Sequence, residues 1–293
     1  MRRPPATLTR SRNAGGNRVR ALAAPAPAAT LAHMRPASRL VLGGHSFVAP
    51  LGSDPEPDRA GRAAILAACA AAGIGWVDTT YEPERDRLGE ALHDSGLGER
   101  MQVCVWNFFG GFGPRLRPYG PSPWREEHLD QVRRALDRDR IDALVVHRVG
   151  DPDADARQEA LAERWLAAGA VGRLGLWMPG AERMARGPGP YAFLVWPTGL
   201  HQADAPTCTA AAQAAGWAVW GTSPFNRGWT LDQRSADPAV RARLAELLLR
   251  HALHLPGVER LVVAMRQPAW AERNAAAAAA GPLTAAERAE LGA

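Results

Sequence analysis

The chain has 293 residues and a formal charge of +5, from 35 Lys+Arg against 30 Asp+Glu, and every one of those cations is arginine. The absence of lysine excludes Schiff-base aldolase and pyridoxal chemistry, a Walker-type phosphate loop, and any acid or base role for a tunable amine. A hydrophobic share of 46% with 22% charged residues is ordinary globular composition, and no run of apolar residues is long enough to suggest a membrane span.

The positive charge is local. Residues 1–39 hold eight arginines and no acid, and the rest carries 27 arginines against 30 acids. A mildly acidic body gives no reason to expect nucleic-acid binding. Residues 1–38 read as a disordered Arg/Pro/Ala-rich extension without apolar periodicity. Two other readings stay open: an acid-free targeting segment led by Arg2-Arg3, or a stretch upstream of a true start at Met34. Cys69, Cys104 and Cys208 lack zinc or disulfide spacing. They fit small buried residues in a reducing, cytoplasmic compartment, and no metal site is expected.

From residue 39 to 293, strand-like runs alternate with helical segments. The run 39–42 precedes a helix over 59–72, 75–78 precedes 84–94, 102–106 precedes 123–136, and 142–147 precedes 156–168. In turn 173–177 precedes 180–186, 191–195 precedes 207–215, 217–220 precedes 238–253, and 260–263 precedes 268–280. The strand runs are almost continuously apolar, as strands buried on both faces require. Gly73, Gly169 and Gly216 mark helix-to-strand turns, and Thr284 with Glu287 forms a capping box for a short last helix. Eight β–α units in this length predict an α/β fold, the TIM (β/α)8 barrel. The first turn, Gly43-Gly44-His45-Ser46-Phe47, is not the GxGxxG of a doubly wound dinucleotide site.

A barrel carries its function at the C-terminal ends of its strands. Those ends read Gly44-His45, Asp78-Thr79-Thr80-Tyr81, Trp106-Asn107, His147-Arg148, Trp177-Met178, Trp196-Pro197, Thr222-Ser223-Pro224 and Arg266-Gln267. A carboxylate, a phenol and an imidazole therefore share one mouth. His45, Trp106, Trp177 and Trp196 are expected to wall a small-molecule substrate pocket. Asp78 has a plainer alternative, satisfying backbone amides at a strand end.

These strand ends resemble the aldo-keto reductase family from about residue 39 onward. Gly73-Ile74-Gly75-Trp76-Val77-Asp78 resembles the family's second strand, Leu88-Gly89-Glu90-Ala91-Leu92 the helix after it, and Ile141–Arg148 the strand with its histidine. Ser223-Pro224-Phe225-Asn226-Arg227-Gly228 is similar to the loop around the cofactor pyrophosphate, and Arg266-Gln267-Pro268 with Asn274 to the segment gripping the adenosine phosphate. The resemblance implies carbonyl reduction by NADP(H) through a tetrad of aspartate, tyrosine, lysine and histidine. Carried over, the tetrad is Asp78, Tyr81, Asn107 in place of the lysine, and His147. The cofactor set is Ser223, Phe225, Arg227, Gly228, Arg266, Gln267 and Asn274. The family's carboxamide contacts become Trp177-Met178 and Trp196, and its ring-stacking aromatic becomes Thr222.

Three functions follow as expectations: an NADPH-linked aldehyde or ketone reductase with an altered tetrad, a non-redox lyase or dehydratase on the same barrel, or a catalytically silent binding protein. The chain is expected to act as a monomer or homo-oligomer.

Overall fold

The computed structural model describes residues 34–48, 55–110 and 120–292, so most of the proposed N-terminal extension lies outside the described residues. Eight parallel strands close into one barrel in sequence order: β1 (Leu40–Leu42), β2 (Trp76–Thr79), β3 (Gln102–Trp106), β4 (Ala143–Val146), β5 (Leu174–Trp177), β6 (Phe193–Pro197), β7 (Ala218–Thr222) and β8 (Val258–Val263). Closure is made by β1 on β8, with Leu40 opposite Leu261 and Leu42 opposite Val263. The helices are α1 (Arg59–Ala71), α2 (Glu82–Ser95), α3 (Glu126–Leu136), α4 (Pro152–Ala167), α5 (Ala181–Ala185), α6 (Ala205–Ala214), α7 (Trp229–Arg234), α8 (Pro238–Leu253), α9 (Pro268–Ala279) and α10 (Ala285–Leu291). The expected (β/α)8 barrel is the observed fold.

Side-chain alternation splits each strand between two cores. Val41, Trp76, Cys104, Val145, Phe193, Val195 and Trp220 fill the barrel interior. Leu40, Leu42, Val77, Val103, Val105, Leu144 and Leu194 face the helices instead. Low in the barrel the Phe193 ring stacks on Trp220 with centroids 4.1 Å apart, and Trp76 meets Trp220 edge-on at 5.1 Å. Gly175 makes room for this layer, because a Cβ there would overlap the Phe193 ring. The Arg260 guanidinium lies over both tryptophans at 5.3 and 5.7 Å and donates to Ser38 O.

Local signals set the helix boundaries. Asp58 caps α1 by accepting from Gly61 N, and Asp237 caps α8 by accepting from Ala239 N and Val240 N. The expected capping box is present: Glu287 N donates to Thr284 Oγ1, and Thr284 N donates to Glu287 Oε2. Helix α4 starts before the expected residue 156, because Asp151 caps it and Pro152 opens it. Helix α7, in the long connection after β7, is not among the elements that the apolar pattern predicts. The Leu88-Gly89 pair has a packing reason: a Cβ on Gly89 would overlap Ala135 O, so α2 and α3 touch there backbone to backbone.

Candidate active site

The ends of β1 and β2 meet the first turn of α2 at the barrel mouth. Glu84 is the third residue of that helix and is fully buried. Its side chain folds back on the β2–α2 turn, where Oε2 accepts from Thr80 N at 2.7 Å and Tyr81 N at 3.3 Å. Its other oxygen lies 2.7 Å from His45 Nδ1, a close charge pair that is imperfectly aligned as a hydrogen bond. Gly44 makes this possible, since a Cβ there would stand 2.6 Å from Glu84 Oε2 and 2.7 Å from Asp78 O. Asp78 Oδ1 accepts from Gly44 N at 2.8 Å, which is the amide-satisfying role that the sequence left open.

These buried groups perturb one another. Burial, helped by the charge of Glu84, pushes the Asp78 carboxyl up to about 7 against the opposing effect of the Gly44 amide and His45. Burial alone would lower the pKa of His45, but the Glu84 carboxylate, seconded by Asp78, outweighs it and raises it. Tyr81 is pushed up to about 12, chiefly by burial and then by Glu84.

An unbroken row of rings continues from this cluster along the mouth. His45 stacks on Tyr81 at 5.6 Å, Tyr81 meets Phe108 edge-on at 5.2 Å, Phe108 meets His147 at 5.4 Å, and His147 stacks on Trp177 at 5.6 Å. Trp106 closes the row against Trp177 at 5.1 Å. The His147 Nδ1–H donates to Arg148 O at 2.9 Å, since a carbonyl can only accept. Burial lowers the pKa of His147, so the neutral ring presents Nε2 as an acceptor.

Strand alternation corrects two of the expected placements. Asn107 is fully buried on the helix-facing side and does not meet Tyr81. Its Nδ2 donates to Ser122 O at 2.8 Å, to His147 O at 2.7 Å and to Gln158 Oε1 at 3.2 Å, while Oδ1 accepts from His147 N at 2.8 Å. Asn107 is a strut between β3 and β4. The residue that β3 turns inward beside Asp78 is Trp106, whose buried Nε1 has no hydrogen-bond partner among the described residues but is close enough to Asp78 to oppose its rise. Trp196 also points outward into the helix-facing core, while its neighbours Phe193 and Val195 point inward. It does not wall the pocket.

A single cavity of about 520 Å³ joins the ring row to a set of arginines. His45, Asp78, Tyr81, Trp106, His147 and Trp177 line one part of it. Ser223, Phe225, Arg227 and Gly228 line another. That stretch is backbone-strained, with Ser223, Asn226 and Arg227 at φ of 57°, 46° and 61° before Gly228 at 87°. Arg241, Trp270, Arg273 and Asn274, from α8 and α9, line it as well, and Arg266 lines it beside His45. Arg266 is more strut than anion ligand: its guanidinium donates to His45 O at 3.2 and 3.3 Å and to Val48 O at 2.6 Å, tying the β1 loop to β8. Gln267 precedes α9 at its N-cap and is not among the lining residues.

Sequence reasoning misses Glu84, Phe108, Trp270, Arg241 and Arg273. Helical spacing carries a signal for some of them. Trp270, Arg273, Asn274 and Ala277 follow the i, i+3, i+4, i+7 pattern of one face of α9, and Arg241 and Ala245 are one turn apart on α8. Among the described residues no cluster of His, Cys, Asp and Glu is arranged to hold a metal, and no helix is long and apolar enough to cross a membrane.

The eight parallel strands and the cavity at their ends define a class of fold, the (β/α)8 barrel. No protein-family model matches the chain, and no curated protein matches its sequence. Solved structures do. PA4992 of Pseudomonas aeruginosa, assigned as an aldo-keto reductase, aligns with a TM-score of 0.63 at 20% identity over 83% of this chain and 90% of that one. A second structure of an aldo-keto reductase so assigned from the same organism gives 0.62 at 19% over 83% and 89%. The aldo-keto reductase AKR11C1 of Bacillus halodurans, in its holo form, gives 0.62 at 16% over 87% and 91%. At these identities the likeness is one of fold.

Proposed function

We propose that the protein is an oxidoreductase that uses NADP(H) to reduce an aldehyde or ketone with an altered tetrad. One observation carries the reading: a single cavity is lined both by Asp78, Tyr81, His45 and His147 and by Arg227, Arg241 and Arg273. Apolar, titratable walls joined to cationic ones suit a ligand with a flat ring at one extremity and phosphates at the other.

The residues fit such a nucleotide, with one substitution of chemistry. Two buried polar atoms, Thr222 Oγ1 and Trp106 Nε1, lack partners among the described residues and belong to residues that line the cavity. Buried polar atoms of this kind call for a polar group in the cavity. They stand near the reacting end, where the family's carboxamide contacts are missing. In this proposal Arg273 and Asn274 hold the adenosine phosphate, Arg227 and the strained 223–228 loop hold the pyrophosphate, and Trp177 packs against the reacting end. When bound, the reduced nicotinamide supplies the hydride that reduces the carbonyl. Trp106, Phe108 and Trp177 exclude water and take an apolar or aromatic substrate. Tyr81 and His147 orient its oxygen-bearing carbon against the Asp78 cluster.

The test is NADPH consumption against a panel of aldehydes and ketones. The reading expects turnover that a Tyr81→Phe, His147→Ala double variant reduces on the order of 100-fold or more. Equal rates in wild type and the double variant would sink it. A second reading, non-redox proton transfer by the same cluster, is favoured by the lack of the family's carboxamide contacts at Trp177, Met178 and Trp196. It expects no NADPH binding.

A further inference from the structure

Two imidazoles line one cavity, and their surroundings drive them to opposite states. His147 has its Nδ1–H committed to a carbonyl and burial lowers its pKa, so it stands neutral with Nε2 accepting. His45 has its Nδ1 against a buried carboxylate, its Nε2 has no partner among the described residues, and its ring edges the cavity. A pair of titratable groups pushed apart in this way marks an acid and a base.

The surroundings of His45 are built for charge. Glu84 faces it from α2 and Asp78 from β2, while Arg227 in the connection after β7 opposes them and the Arg266 guanidinium, just after β8, donates to the His45 carbonyl. Tyr81 covers one ring face. The Glu84 carboxylate is itself fixed by two backbone amides and seated against Gly44, so it cannot swing away from His45 without losing both bonds. Tyr81 has the Arg227 charge acting to lower it, yet burial and then Glu84 outweigh that and hold its phenol at about 12. A general acid works best near the operating pH, which an imidazolium meets and such a phenol does not.

We propose that His45, held charged by Glu84, is the proton donor of this site, giving its Nε2 proton to the oxygen of the bound carbonyl compound. The proposal rests on the reductase reading and deepens it: the cation lost with the lysine on β3 is supplied from β1. The carbonyl carbon gains two electrons and a hydrogen from the reduced nicotinamide nucleotide, the C=O π pair moves to oxygen, and that oxygen takes the His45 proton. The products are an alcohol and the oxidised nucleotide, and neutral His45 regains its proton from solvent through the cavity mouth. Glu84 acts through His45 and is a positioning residue.

The first test needs no substrate. In histidine-labelled protein titrated by NMR, with the His45 resonance assigned by His45→Gln, wild-type His45 titrates above the free value of ~6.5. Glu84→Gln keeps an oxygen for the backbone amides and lowers the His45 proton affinity about 10-fold or more. A wild-type His45 titrating at or below the free value overturns the proposal. The second test is the pH profile of carbonyl reduction. Activity falls on the alkaline side at the pKa measured for His45, Glu84→Gln moves that limb to lower pH, and His45→Gln loses on the order of 100-fold with the limb gone. An unchanged limb in both variants, or a Tyr81→Phe loss that exceeds the His45→Gln loss, overturns it. If no carbonyl is turned over while His45 titrates high, the reductase reading fails and the catalytic role falls with it, leaving only the charged pair. A low His45 in an active enzyme overturns this proposal alone.

Discussion

Replacing Asn107 with leucine separates a structural strut from a stand-in for a catalytic lysine. The side chain is fully buried and serves the His147 N–H, the His147 and Ser122 carbonyls and Gln158. Leucine is close in volume, so little cavity forms, but the His147 amide and at least one carbonyl lose their partners. Each buried polar group left unsatisfied costs roughly 1–3 kcal/mol, so two groups give a loss of about 2–6 kcal/mol. For a domain of this size each kcal/mol moves Tm by ~2–4 °C, which predicts a drop of roughly 4–24 °C. Urea unfolding followed by tryptophan fluorescence gives the free energy, and near-ultraviolet circular dichroism reports the His147–Trp177 stack on the same samples. An Asn107→Leu protein within ~0.5 kcal/mol of wild type would refute the strut. So would an Asn107→Lys protein that stays stable and gains reductase activity, because the strand turns that position away from Tyr81.

Other outcomes follow from the same geometry. In the folded protein Asp78 is raised to about 7, while an unfolded aspartate titrates at ~3.9. Between those values the folded state keeps a proton that the unfolded state has lost, so this group makes stability fall as pH rises. Asp78→Asn removes the penalty, and its stability relative to wild type should improve by ~1 kcal/mol or more between pH 5 and pH 8 in urea titrations; a difference constant with pH would contradict it. Trp106→Ala and Trp177→Ala should each raise KM for an aromatic carbonyl about 10-fold, whereas Trp196→Phe, whose ring faces the helices, should leave KM unchanged. Equal effects from all three would refute the inward and outward assignments. Gly89→Ala should destabilise by roughly 1–3 kcal/mol through the contact with Ala135 O, measured by thermal unfolding, and a neutral result would mean that α2 shifts freely.

The barrel is legible in the sequence because its signal is repeated. Eight apolar runs separated by helix-length segments leave few alternatives, and caps such as Asp58, Asp237 and Thr284 define where helices begin. The site is legible only in part, for a reason that belongs to strands. Adjacent residues point to opposite faces, so naming a strand end does not say which of two neighbours enters the mouth. On β3 Trp106 keeps the inward parity of Cys104 and leaves Asn107 facing the helices, and on β6 Trp196 faces out because Phe193 and Val195 fix the inward parity. Counting that parity back from the apolar interior positions assigns both. His45 and Glu84 are separated by 39 residues, and nothing local couples them. The one hint is Glu84 three residues after Tyr81, the position from which a carboxylate folds back over a helix start. Another part of the cavity wall comes from α8 and α9, where Arg241 and Arg273 read as ordinary solvated arginines until the helices are docked.

The reductase reading of the site depends on the cavity holding NADP(H). Titrating the purified protein with NADPH and following tryptophan fluorescence decides this, since Trp106, Trp177 and Trp270 all line the cavity. Saturable quenching is expected, with Kd on the order of micromolar, weakened about 10-fold or more by Arg273→Ala. No saturable change up to roughly 1 mM NADPH would contradict it.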